Sequence, residues 1–241
     1  MKVSQKINNQ IAQLKEGVLF KYQDLNLAPS EYGAATKSIE RLIGAGKVQR
    51  AAKGLFYKPQ QSILGALPPR DDEFLKQYLF KNGQRVAYIT GTRLYNNMGL
   101  TTQFAFTVTL ATPSRLKKQI VGKTKIRAVK TYVEVTDENY RYLGFLDSLK
   151  DFNNILDIDR VAAIKILTSQ LRQFSKTQVE DIITYALKYP PRVRAFLGAL
   201  LENIGISTNL TLLKSSYSPL SEFKYYITPK ILPTATHWKI K

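Results

Sequence analysis

Two adjacent prolines constrain the chain most. Pro68 and Pro69 close the run Gly65-Ala66-Leu67-Pro68-Pro69. Neither proline nitrogen donates a backbone hydrogen bond, so the pair favours an extended connector. The break predicts a domain over residues 1–69 and a larger one over 70–241. Lys and Arg outnumber Asp and Glu by 10 to 4 in the first part and by 26 to 14 in the second. The net charge of +18 therefore comes from both parts and not from a tail. Such a surplus calls for a polyanion, and nucleic acid ranks ahead of an anionic membrane surface.

Several chemistries drop out at once. There is no cysteine, which removes disulfides, thiol nucleophiles and Cys-based metal centres. The single histidine, His237, makes a His-dependent triad or a poly-His metal site untenable. Neither G-x-x-x-x-G-K-[ST] nor G-x-G-x-x-G occurs. No cofactor, no metal and no enzymatic activity are expected. The N-terminus has no apolar signal core, and no apolar run approaches about 18 residues. A cytoplasmic protein without membrane contact is the expectation.

The first 69 residues hold short elements. Ile7, Ile11 and Leu14 make one stripe of a first helix. Val18-Leu19-Phe20 suits a small strand, and Tyr22 to Leu27 a single helical turn stopped by Pro29. Ser30 is the expected N-cap of a third helix, which buries Ala35, Ile39, Leu42 and Ile43 and ends at Gly44-Ala45-Gly46. Residues 47–50 and 55–58 flank Ala51-Ala52-Lys53-Gly54 as a hairpin. Helix, short helix, helix, hairpin is the order of a winged helix-turn-helix. In that fold the third helix enters the major groove and the hairpin tip follows the phosphates. The face opposite the core then carries Ala34, Lys37, Ser38 and Arg41, with Tyr32 near its start. Arg50, Lys53 and Lys58 are the wing charges. The bland alternative is a protein-interaction module with a solvated basic helix.

The second part reads as mixed α+β with a mostly helical C-terminal half. Helices are expected over 73–80 and 91–98, a turn at Asn82-Gly83, and strands over 85–89, 104–110 and 131–135. A hairpin is expected at 119–127 around Gly122-Lys123. Helices begin at Asp159, with Val161, Ile164, Leu167 and Leu171 on one face, and at Ser175 and Pro190-Pro191. Residues 217–241 look irregular, with a strand at 224–227.

Four constellations carry chemistry or its imitation. Arg115, Lys117, Lys118, Lys123, Lys125, Arg127 and Lys130 are seven cations in one stretch free of acids. They make either a second basic surface for flanking DNA or RNA, or a solvated edge hairpin. Arg192 and Arg194 join that surface because a helix N-terminus disfavours cations, and misplaced charge can mark an acidic partner. Asp157 and Asp159 form a D-x-D that could hold Mg²⁺, but Asp159 serves as a helix cap. Asp147 and Asp151, one helical turn apart, read as solvated. In the tail Tyr217, Phe223, Tyr225, Tyr226 and Trp238 alternate with lysines, which suits either core packing or base stacking.

The order of short signatures resembles one family. These are Gly17-Val18-Leu19-Phe20, Tyr22-Gln23-Asp24-Leu25, Ser38-Ile39-Glu40-Arg41-Leu42 and Lys47-Val48-Gln49-Arg50. Then come Lys53-Gly54-Leu55-Phe56-Tyr57-Lys58-Pro59, Leu64-Gly65-Ala66-Leu67-Pro68-Pro69, the run from Gly91 to Gln103, and Thr112-Pro113-Ser114-Arg115. Over roughly residues 1–200 the chain is similar to the AbiEi-like antitoxins of bacterial abortive-infection type IV toxin–antitoxin systems. The resemblance implies an N-terminal winged helix that binds operator DNA of its own operon and represses it. It implies a second domain that opposes a nucleotidyltransferase-like toxin without a stable complex. The competing classes are a non-specific nucleic-acid-binding protein and a nucleic-acid-processing enzyme that uses Asp157 and Asp159.

Overall fold

The structure, a computed structural model, describes residues 3–63, 65–113, 119–121 and 124–241. It is a mixed α+β protein of two compact units, Met1–Tyr78 with Val121–Lys123, and Leu79–Ile120 with Thr124–Lys241. Pro68-Pro69 lies inside the first unit.

The first unit starts with α1 (Val3–Gln13), whose Ile7 and Ile11 are buried at the i, i+4 spacing. Strand β1 (Leu19–Phe20) and a 3-10 turn at Tyr22–Leu25 follow. A second 3-10 turn, Pro29–Glu31, runs into α2 (Tyr32–Gly44). Ser30 lies within that turn and does not cap α2. Glu31 closes the turn instead, accepting from the Ala28 N–H at 2.8 Å and from Lys6 Nζ at 2.9 Å. Strands β2 (Gln49–Ala52) and β3 (Leu55–Tyr57) form the hairpin. Strand β1 pairs antiparallel with β3, giving a sheet in the order β1-β3-β2. Ile7, Ile11, Phe20, Leu25, Ala35, Ile39, Val48 and Phe56 fill one core.

The connector expected at Gly65–Pro69 is instead half of a second hairpin. Strand β4 (Gln60–Ser62) pairs with β5 (Gly65–Leu67). Gly65 takes a φ of 104°, and the Ser62 hydroxyl donates to its carbonyl at 2.8 Å. Glycine adopts that backbone without a Cβ penalty, which lets so short a turn close. Helix α3 (Asp71–Leu79) starts with three acids, which the positive end of the helix dipole favours.

The second unit opens with the hairpin of β6 (Phe80–Lys81) and β7 (Gln84–Arg85). Asn82 and Gly83 both have positive φ, as a type I′ turn requires. Strands β8 (Tyr88–Thr90), β9 (Thr107–Thr112), β10 (Gln119–Val121) and β11 (Thr124–Lys130) form a sheet in the order β10-β11-β9-β8. Strand β9 pairs antiparallel with β8 and parallel with β11. Helix α4 (Thr92–Asn97) links β8 to the segment leading into β9.

Two strand expectations need correction. The strand placed at 104–110 begins only at Thr107, so Phe104 and Phe106 lie outside it. The strand placed at 131–135 does not form. Residues 132–133 bend, and the Asn139 side chain ties Glu134 and Thr136 into a local turn.

The C-terminal half is a helical layer of α5 (Tyr140–Asp151), α6 (Arg160–Arg172), α7 (Lys176–Ala186) and α8 (Pro191–Asn203), followed by the short α9 (Leu210–Ser215). Asp159 caps α6, accepting from the N–H groups of Val161 and Ala162. Ser175 and Gln178 form a capping box on α7. Val161 is exposed despite its place in the expected stripe, because at about 100° per residue it turns away from the face of Ala163, Ile164, Leu167 and Leu171. Helix α8 is buried from Ala195 to Leu201. The tail packs against it, with Trp238 fully buried over Gly198. The expected strand at 224–227 reduces to a single bridge, Phe223 to Ile240.

Candidate nucleic-acid interface

Helix α2 and the β2–β3 hairpin hold the side chains that the sequence singles out in the first unit. Tyr32, Ala34, Lys37 and Arg41 are exposed. Lys37 and Arg41 stand one turn apart and share a face. At about 100° per residue, Ser38 falls only about 60° from Ala35 on the helix circumference, at the edge of the core stripe. Ser38 is accordingly 6% exposed, and its hydroxyl donates to the Ala34 carbonyl at 2.9 Å. It is removed from the reading face.

On the hairpin, Arg50 and Lys53 are exposed, and Lys53 sits at the tip beside Gly54. The Arg50 guanidinium lies 5.8 Å from the Phe56 ring centre, which steadies the long side chain over the sheet. Lys58 is half-buried and lies 3.9 Å from Glu16, so it is less open to a ligand than Arg50 and Lys53. Lys47, which the sequence reading passed over, is exposed just before β2. The surviving set is Tyr32, Ala34, Lys37, Arg41, Arg50 and Lys53. Glu31 lies beside this face, and the Lys6 ammonium together with the Ala28 N–H holds its carboxyl below the usual range.

Of the second basic stretch, Arg115, Lys117, Lys118 and Lys123 lie outside the described residues. Lys125 and Arg127 are exposed on one face of β11. Arg192 and Arg194 act differently from the expectation. Arg194 donates to the carbonyls of Tyr189 and Ser216, and Arg192 to that of Lys150. These guanidinium groups satisfy carbonyls at or just past the C-terminal ends of α5, α7 and α9, which offsets their placement in the first turn of α8. Arg194 is thereby committed and leaves the basic surface.

The acidic pairs also resolve. Asp157 accepts from the hydroxyls of Thr101 and Thr102 and from the Gln103 amide, and these bonds hold its carboxyl below the usual range. Asp159 is occupied as a cap. Asp147 is not solvated but 2% exposed. It accepts from Tyr88 Oη and Thr90 Oγ1, both at 2.8 Å, and from Lys150 Nζ at 3.0 Å. Asp151 accepts from Tyr95 Oη at 2.7 Å and lies 3.8 Å from Lys150. Burial disfavours the Lys150 charge, yet the two carboxylates outweigh it and raise its pKa. Burial, reinforced by Asp147, pushes the Tyr88 phenol far above its ordinary value. In the tail, Tyr225 and Trp238 are core residues, and the Trp238 indole donates to Glu202. His237 is exposed and meets the same carboxylate at 2.8 Å.

Residues 6–179 match a family of unknown function, DUF6088, and the chain belongs to that family. Among solved structures it is similar to the RV2827C protein from Mycobacterium tuberculosis, at a TM-score of 0.55 and 10% sequence identity. The match covers 93% of this chain and 85% of that one. That likeness is one of fold alone. No curated protein matches the chain. Among the described residues, no helix is long and apolar enough to cross a membrane.

Proposed function

We propose that the first unit is a winged helix-turn-helix that reads duplex DNA, and that the protein is an antitoxin of the AbiEi-like kind. On this reading it represses its own operon in the cytoplasm and opposes a nucleotidyltransferase-like toxin without holding it in a stable complex. One observation carries the DNA reading. Lys37 and Arg41 on α2 and Arg50 and Lys53 on the hairpin are exposed cations of one small unit. They occupy the two elements, third helix and hairpin, that such a fold presents to a groove and to phosphates. The net charge of +18 supports a polyanionic partner. The antitoxin role rests on the resemblance of residues 1–200 described above.

The test is fluorescence-anisotropy binding of the full chain to DNA from just upstream of its own reading frame, with a scrambled duplex alongside, across KCl concentrations. The two hairpin cations on phosphates predict a log–log slope of at least about 1.8 in magnitude, with the helix cations steepening it. Preference for the native fragment, lost in Lys37→Ala/Arg41→Ala, is the expected result. Equal affinity for both duplexes refutes operator reading and leaves a non-specific nucleic-acid-binding protein.

A further inference from the structure

The sheet of the second unit has an open groove of about 700 Å³ that the duplex reading does not use. Phe104 and Phe106 line it and are 83% and 90% exposed, and Leu156 is 67% exposed. Lys125 and Arg127 project into the same groove from β11. Parallel pairing sets Lys125 level with Thr107 and Arg127 level with Thr109 on β9. The cations therefore stand beside the strand start that directly follows Phe106. The Arg127 guanidinium is aimed by a bond from Nη2 to Thr109 Oγ1 at 3.2 Å. No carboxylate is among the described residues that line the groove.

Two phenyl rings left in water are costly unless something covers them. An apolar protein partner would need no cations, and a phosphate alone would need no rings. Rings alternating with cations in an acid-free groove match an unpaired strand, whose bases stack while its phosphates meet charge. A duplex keeps its bases stacked on each other and offers nothing to the rings. We propose that this groove binds a single-stranded nucleic-acid segment, with Phe104 and Phe106 stacking on bases and Lys125 and Arg127 meeting phosphates. The proposal stands apart from the duplex reading, because it uses neither α2 nor the β2–β3 hairpin.

The experiment is anisotropy binding of the full chain to fluorescein-labelled dT12 and U12 over a KCl series. Phe104→Ala/Phe106→Ala is expected to weaken binding at least about tenfold while the salt slope stays the same. Lys125→Ala/Arg127→Ala is expected to reduce the slope by about 1.4, at about 0.7 per phosphate on a single strand. Lys37→Ala/Arg41→Ala is expected to keep wild-type affinity for both oligomers, which separates this groove from the duplex face. All six side chains are exposed, so matching thermal melts certify folded variants. Tight binding to U12, to dT12 or to both supports the proposal and identifies the strand chemistry. Wild-type affinity in the phenylalanine variant overturns it. So does a wild-type dimer on light scattering that the phenylalanine variant converts to monomer with unchanged oligomer binding, since the rings then hold a second copy of the chain.

Discussion

Replacing Asp147 with leucine should cost the second unit about 3–5 kcal/mol, the range for removing one member of a buried ion pair. Its carboxylate is 2% exposed, and removal leaves the hydroxyls of Tyr88 and Thr90 without their shared acceptor at 2.8 Å. Lys150 retains Asp151, but at 3.8 Å in place of the 3.0 Å contact to Asp147. The losses belong to one network and do not sum, so the range is not multiplied by the number of bonds. For a unit of this size each kcal/mol moves the melting temperature about 2–4 °C, so the expected drop is about 6–20 °C. Lys150→Met alone should cost less, because Asp147 keeps its hydroxyl donors. The double variant Asp147→Leu/Lys150→Met should be more stable than Asp147→Leu alone, because it no longer holds a partly buried ammonium on the longer Asp151 contact alone. The assay is urea denaturation followed by tryptophan fluorescence. Trp238 is the only tryptophan and is buried in this unit, so the signal reports it directly. If Asp147→Leu lies within about 1 kcal/mol of wild type, or if the two substitutions add without coupling, the network does not hold the fold as argued.

Three further outcomes follow from the same geometry. Gly198→Ala places a Cβ 2.1 Å from Trp238 Cζ3 inside the core, so urea titration should show a loss of about 1–3 kcal/mol or more. Asp159→Ala removes the α6 cap and should cost about 1 kcal/mol, with no change in nucleic-acid binding and no Mg²⁺-dependent shift in melting. A Mg²⁺-dependent turnover lost in Asp159→Asn would instead favour the enzyme reading. Stability should fall as pH rises past about 10, where tyrosine in the unfolded chain begins to ionise. Tyr88 has a raised pKa, so the folded state keeps a proton that the unfolded state loses, and stability declines above the unfolded value. The raised Lys150 acts in the same direction, since the stability its charge contributes is complete below the unfolded lysine value and lost above it. Tyr88→Phe should flatten the alkaline limb of a pH series of urea titrations.

The parts legible in the sequence are those set by local rules. The caps at Asp159 and Ser175 and the Asn82-Gly83 turn each depend on a few neighbouring residues. So does the stripe of Ile7 and Ile11. What the sequence hid depends on tertiary partners. Asp147 and Asp151 read as solvated because an i, i+4 acidic pair repels in isolation. They are held by Tyr88, Thr90 and Tyr95, more than 50 residues upstream, and by Lys150 between them. Arg194 is placed against the dipole at a helix N-terminus, but it donates to Tyr189 in the turn before α8 and to Ser216, which reaches it only when α9 packs back. Ser38 was misassigned by a finer margin, since a serine at the edge of a stripe can satisfy its hydroxyl on the preceding turn and be buried at little cost.

Phe104 and Phe106 show where propensity and burial part company. Alternating aromatic and small residues in Phe104-Ala105-Phe106-Thr107-Val108 fit a half-buried strand, and propensity alone extends β9 back to Phe104. Pairing with β11 begins at Thr107, opposite Lys125, and pairing with β8 only at Thr109, so among the described residues no strand pairs with the segment that carries the rings. Local propensity and tertiary burial disagree at this one place, and cations stand beside it. Disagreement between levels is costly and tends to persist where function requires it. Two rings of the tail make the opposite case. Tyr225 and Trp238 also lie among lysines in the sequence, yet both are buried, so their composition has a packing explanation and needs no ligand. Cation-aromatic interleaving thus points to a nucleic-acid strand only where the rings stay in water, and in the sheet groove they do.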